Sequence, residues 1–202
     1  MPIKINSMPT LLRQGKWRDL LDCWSQLMDA YAARDRDVAY WYGERAMTGL
    51  LAAAAWHCGG WSLEEFTGRR GVKRRRSGRG DLWLSTGKGN YTVEAKVVWP
   101  GSSRTEFAVS TANRALREAS RQLRTLSEDF VWGRRVAVCY IVPDLAKQSL
   151  HSEPQKIESL FDGVVANFRK AAVVATYRPR SEVPSVHRGR CYPGVILVGQ
   201  RV

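Results

Sequence analysis

Apolar residues recur at spacings of three and four through the first part of the chain, and residues 10–58 read as helix in two segments. Leu20, Leu21, Trp24, Leu27, Met28 and Tyr31 form one stripe, which predicts an amphipathic helix over about residues 17–34. The run Arg34-Asp35-Arg36-Asp37 interrupts that stripe, and Asp35 or Asp37 is placed to cap a second helix that ends at Cys58-Gly59-Gly60. On this second helix Glu44 lies one turn from Tyr40 and follows the same side as Met47 and Leu51. A carboxylate beside an apolar face needs a partner, and Arg36 or Arg45 is the nearest in sequence.

The period then changes from helical to two. Residues 81–85, the breaker run Thr86-Gly87-Lys88-Gly89-Asn90, and residues 91–99 read as two strands joined by a turn. Along the second of them Tyr91, Val93, Ala95, Val97 and Trp99 share one face, and Glu94 and Lys96 share the other. Residues 61–67 fit two descriptions, a short helix opened by the capping box of Ser62 and Glu65 or a strand. A long helix is expected over residues 110–129, with Ala115, Leu116, Ala119, Leu123 and Leu126 inward. Residues 134–143 alternate Val136, Val138, Tyr140 and Val142 with Ala137, Cys139 and Ile141, apolar on both faces as a strand inside a sheet must be. A further helix over residues 152–170 and closing strands over 172–177 and 195–198 complete the pattern. The whole reads as a single α/β domain over residues 1–202.

Charge adds a partner to this picture. The net charge of +13 and a pI near 10.1 call for a polyanion, either nucleic acid or an acidic membrane surface. Arg69, Arg70, Lys73, Arg74, Arg75, Arg76 and Arg79 fall in one stretch without an acid, a loop that leads into Asp81 and is expected to hold a phosphate backbone, against the plainer reading of a solvated loop. Arg114, Arg117, Arg121 and Arg124 line another face of the long helix, a second candidate track for a phosphate backbone. Residues 178–190 form another basic loop. No run of apolar residues is long enough to span a membrane, and the first residues lack a secretory core, so a cytoplasmic protein with reduced cysteines is expected. A zinc site shared by His57-Cys58 and His187/Cys191 is conceivable, against the plainer reading of buried thiols and surface histidines.

The chemistry concentrates on the hairpin. If the turn brings Asp81 beside Glu94, two carboxylates repel unless a hard divalent cation sits between them, and Lys96 then stands where it can hold a water. Asp81 followed after twelve residues by Glu94-Ala95-Lys96 resembles the PD-(D/E)XK nuclease superfamily, with its restriction-endonuclease-like fold. The resemblance covers about residues 38–143 in the order helix, strand, strand, strand, helix, strand, with residues 1–37 a helical extension and 144–202 a C-terminal helix with closing strands. It favours a strand over residues 61–67. Gly80 stands where the motif's name has proline.

What the resemblance implies is a Mg2+-dependent nuclease, with Mn2+ able to substitute, that cuts DNA to a 5′-phosphate and a 3′-hydroxyl. Asp81, Glu94 and the backbone carbonyl of Ala95 would hold the metal, Lys96 would position the attacking water, and Glu44 and Gln122 would hold further waters or a second metal. A bacterial or mobile-element setting such as phage defence, restriction or recombination follows by analogy. The chain has no Gly-x-x-x-x-Gly-Lys-Ser/Thr motif, so a partner protein must supply any DNA translocation. Two staggered cuts in a duplex would favour a homodimer. Two alternatives stay open: a non-catalytic DNA-binding or partner-recruiting module that keeps a remnant site, and an enzyme acting on RNA.

Overall fold

The computed structural model describes residues 3–5, 17–70, 76–87, 89–101, 104–146, 154–179, 186–187 and 189–202. Helix α1 (Trp17–Asp35) is followed by a 3-10 turn (Ala39–Tyr42) and helix α2 (Glu44–His57). Strands β2 (Trp61–Arg70), β3 (Arg76–Ser85) and β4 (Asn90–Val98) form an antiparallel meander. Helix α3 (Thr105–Thr125) then crosses to β5 (Arg134–Ile141), which lies parallel to β4. Helix α4 (Pro154–Asn167), β7 (Val173–Tyr177) and β10 (Val195–Arg201) follow, and a short strand β1 (Ile3–Ile5) pairs with β7.

These strands make one mixed, mostly antiparallel sheet of seven in the order β1-β7-β10-β5-β4-β3-β2. A small second sheet joins β6 (Leu145–Ala146), β9 (Arg190–Cys191) and β8 (Val186–His187). Neither β1 nor this small sheet follows from the sequence pattern; the segments are too short to carry a period of their own.

The large sheet is apolar on both faces because helices cover both. On one face α1 and α2 pack Leu20, Leu21, Met47 and Leu51 against Leu82, Val93, Val138 and Leu197. Trp17 meets Tyr91 edge-on at 5.5 Å and Trp24 stacks on Tyr140 at 6.3 Å, so aromatic pairs dock α1. On the other face α3 and α4 pack Ala112, Leu116, Leu123, Leu160 and Phe161 against Ala137, Cys139, Ile141, Val174 and Ile196. Among the described residues no helix is long and apolar enough to cross a membrane.

Several boundaries differ from the periodicity. The second helix is not capped by Asp35 or Asp37. Asp37 instead accepts from the Val38 N–H at 2.7 Å and the Tyr42 hydroxyl at 2.5 Å, which holds the 3-10 turn. The helix starts only after Gly43, whose φ of 91° a side chain would resist. Helix α3 begins at Thr105 and ends at Thr125 rather than covering 110–129; a separate 3-10 turn (Glu128–Phe130) follows it. The Ser62–Glu65 capping box does not form, since Ser62 lies in β2 and donates to the Ala52 carbonyl at 3.1 Å.

The basic stretch expected as a loop is instead largely paired: Arg69 faces Ser77 and Arg70 faces Arg76 across an extended hairpin. Lys73, Arg74 and Arg75 lie outside the described residues, as do the side chains of Arg70 and Arg76. Cys58 borders the cluster under α2, whereas Cys191 is buried in the cluster on the opposite face of the sheet, so a zinc site joining the two segments does not assemble.

Candidate active site at the parting of two strands

The ladder between β3 and β4 runs from Ser85↔Asn90 to Leu82↔Val93 and stops there. In the β2–β3 ladder the pairs Glu64↔Leu82 and Phe66↔Gly80 are made, and the position between them, Glu65 opposite Asp81, is skipped. Glu65 has φ 49°, a left-handed conformation that a non-glycine residue adopts only under tertiary constraint. Asp81 therefore sits where β3 lets go of both neighbours.

Leaving β4 in this way strands two of its amides. Along a strand alternate N–H groups point to the same side, so Ala95 and Val97 present theirs toward the space β3 has vacated. Carboxylates take them: the Ala95 N–H donates to Asp81 Oδ2 at 2.9 Å, and the Val97 N–H donates to Glu44. Lys96 lies between these amides, and its Nζ is 3.6 Å from Glu44 Oε1. Sequence proximity points to Arg36 or Arg45 as the partner of Glu44; the structure pairs it with Lys96 instead, because the late start of α2 puts Glu44 at the helix head rather than inside it. There the N-terminal end of the helix dipole also favours its charge. Arg45 meets Glu65 at 3.7 Å.

Glu44 titrates above the ordinary carboxylate range. Burial raises its pKa most, Lys96 opposes this, and the nearby charge of Asp81 raises it further. Glu44 and Asp81 line one cleft together with Arg45, Thr48, Glu64, Glu65 and Arg79. Of these, Glu64, Glu65, Arg45 and Thr48 carry no signal of a site in the sequence. Glu65 in the left-handed region is a backbone property that its residue type does not announce.

Glu94 is only 3% exposed and lines a neighbouring cleft with Arg121, Gln122 and Thr125 of α3. Gln122 and Glu94 are thus brought together, as are Glu44, Asp81 and Lys96. Glu94 and Lys96 alternate onto the same face of β4; Lys96 pairs with Glu44 at the head of α2, and Glu94 lies beside α3.

The expected nucleic-acid contacts fall into two sets that meet. Arg114, Arg117, Arg121 and Arg124 are arrayed along α3, and all four are exposed. The Ser127 N–H donates to the Arg69 carbonyl at 2.8 Å, which lays the outer half of the β2–β3 hairpin against the C-terminal end of α3. Arg69 is exposed there. Arg79 is 3.5 Å from Glu65, so part of its charge is already matched.

Asp81, Glu94, Glu44 and the Ala95 carbonyl are oxygen donors, the class a hard divalent cation takes. Among the described residues no three His, Cys, Asp or Glu side chains form a group that could hold a metal ion by themselves. A cation here would rest on one or two carboxylates and fill its shell with water and phosphate oxygens, the manner in which Mg2+ is commonly held. Compared with known proteins, the chain matches no family model, and no curated protein or solved structure matches it.

Proposed function

We propose that the protein is a divalent-metal-dependent nuclease of the PD-(D/E)XK kind, with a restriction-endonuclease-like core formed by α2, β2, β3, β4, α3 and β5, and that it hydrolyses phosphodiester bonds in DNA. The observation that carries this reading is the cluster at the parting of β3 and β4, where Asp81 and Glu44 hold the freed amides of Ala95 and Val97 and Lys96 pairs with Glu44. The antiparallel meander followed by a helix and a parallel strand supports it as well.

Asp81 and Glu94, with the Ala95 carbonyl, are the residues that would hold Mg2+, water and phosphate oxygens would complete its shell, and Glu44 would hold a further water. The bound ion supplies polarisation of a phosphate oxygen and neutralises developing negative charge. Lys96 would hold the attacking water beside the phosphate, with Glu44 fixing its amine in place. Gln122, next to Glu94, would orient a further water. The exposed arginines of α3 and the outer hairpin would fix the phosphate backbone without reading bases.

The test is a cleavage assay on plasmid, linear duplex and single-stranded DNA, and on RNA of matching sequence, in Mg2+, Mn2+ and EDTA. Asp81→Asn is the informative variant, because the amide oxygen still accepts from the Ala95 N–H while the charge is gone. Metal-dependent cutting lost in Asp81→Asn and Lys96→Ala is the expected result. Cutting that persists in both variants would sink the assignment of the site.

A second reading, a DNA-binding module with a remnant site, is favoured by one observation: Glu94 lines a different cleft from Asp81. It requires that the folded protein shift DNA, bind no Mg2+ by calorimetry, and cut nothing.

A further inference from the structure

Trp99 stands at the rim of this cluster with 44% of its surface exposed. The fold does not lack room for indoles, since Trp17 and Trp24 are fully buried. Its position is also fixed from both sides. On the N-terminal side Val98 pairs with Ile141 and its carbonyl accepts from the Val142 N–H at 2.9 Å. On the C-terminal side Pro100 is buried, and the Gly101 N–H donates to Asp144 Oδ1 at 2.6 Å, with Asp144 held in turn by Arg190 at 2.9 Å.

The ring lies over Gly43, the residue before Glu44. A Cβ built on Gly43 would be 3.5 Å from Trp99 Cη2, ordinary van der Waals contact. The exposed indole is therefore carried three residues beyond Lys96 on the chain and packed against the residue that leads into Glu44. An exposed flat aromatic surface packed against the residue before Glu44, with its backbone pinned on both sides, matches a nucleobase, which can stack on it. Bases inside a duplex have both faces covered by their neighbours, so only an unpaired, terminal or extruded base can use it.

We propose that Trp99 is a positioning and specificity-determining residue that stacks an unpaired base next to the bond handled at Lys96 and Glu44, so that the preferred substrate carries single-stranded character at the cut. The proposal rests on the nuclease reading above.

The experiment measures binding by fluorescence anisotropy in EDTA, where no cleavage occurs, using a labelled single strand, the same sequence as a blunt duplex, and a duplex with an unpaired tail. Trp99→Leu keeps apolar bulk without a π-face, and Trp99→Phe keeps a smaller one. Trp99→Leu should weaken binding of the single strand and the tailed duplex about tenfold, with Trp99→Phe recovering most of it and blunt-duplex binding changed less than about twofold. Equal losses on all three DNAs, no loss on any, or a wild type that binds none of them overturns the stacking role. Should wild type show this pattern in EDTA yet cut nothing in Mg2+ or Mn2+, the nuclease reading fails and the stacking site stands. If wild type cuts and Trp99→Leu keeps the same affinity and preference, the stacking role alone fails.

Discussion

Lys96 and Glu44 form an ion pair of 3.6 Å between β4 and the first residue of α2, and Lys96 is the more enclosed of the two. Burial and the neighbouring charge of Asp81 outweigh Lys96, so the folded protein binds a proton at Glu44 more tightly than the unfolded chain does. For an acid shifted upward, this contribution to stability is greatest below the ordinary glutamate range and is lost as pH rises through the raised folded value. Glu44→Gln keeps an acceptor for the Val97 N–H and removes the titration. The expected outcome in thermal melts is that the stability of wild type relative to Glu44→Gln falls from acidic toward neutral pH and then levels off. Parallel profiles would show that the environment of Glu44 does not disfavour its charge.

Phe66 fills the space beside Gly80, immediately before Asp81. An added Cβ would lie 2.2 Å from Phe66 Cζ and 2.6 Å from Cε1, so Gly80→Ala forces the ring out of its place. Proline at this position would meet the same ring. Overpacking of this kind costs about 1–3 kcal/mol. Denaturant unfolding should show that loss, and Phe66→Leu combined with Gly80→Ala should recover part of it. Additive losses would mean that the two residues do not compete for the same space.

Tyr40 lies in the 3-10 turn ahead of Gly43, and its buried hydroxyl donates to the Tyr192 carbonyl at 2.9 Å. Tyr40→Phe leaves that carbonyl buried without its donor, at a cost of about 1–3 kcal/mol. Because the turn presents Glu44, the variant should also lower metal-dependent cleavage, and urea unfolding with an activity measurement on the same preparation checks both. Lost activity with unchanged stability would place the effect elsewhere.

Arg121 and Arg124 lie exposed near the end of α3, where Ser127 meets the hairpin at Arg69. If they neutralise phosphates, replacing both with Gln should weaken DNA binding at low salt. It should also flatten the plot of log K against log salt by about 0.9 for each phosphate no longer neutralised on duplex DNA. Titrations at several KCl concentrations measure this. An unchanged slope would remove α3 from the DNA track.

The elements whose apolar residues follow a local pattern were legible. The stripe from Leu20 to Tyr31 yields α1, the alternation from Tyr91 to Val97 yields β4, and the two-sided apolar run from Val136 to Ile141 yields β5. The start of α2 was not legible, because the break at Gly43 depends on the Tyr40–Tyr192 contact across the molecule. The full length of the hairpin was hidden as well, because cross-strand pairing of Arg69 and Arg70, not their own preference, extends it.

The sequence by itself determined the order of the longer helices and strands from α1 to β10 and the spacing that puts Asp81, Glu94 and Lys96 near one turn, since periods of two and of three to four are properties of neighbouring residues. Tertiary structure alone decided which carboxylate meets which donor. That depends on where β3 releases β4, and hence on which amides are left for Asp81 and Glu44 to hold. Such a release point is set by the balance of pairing and packing over the whole sheet, and no window of the chain contains it.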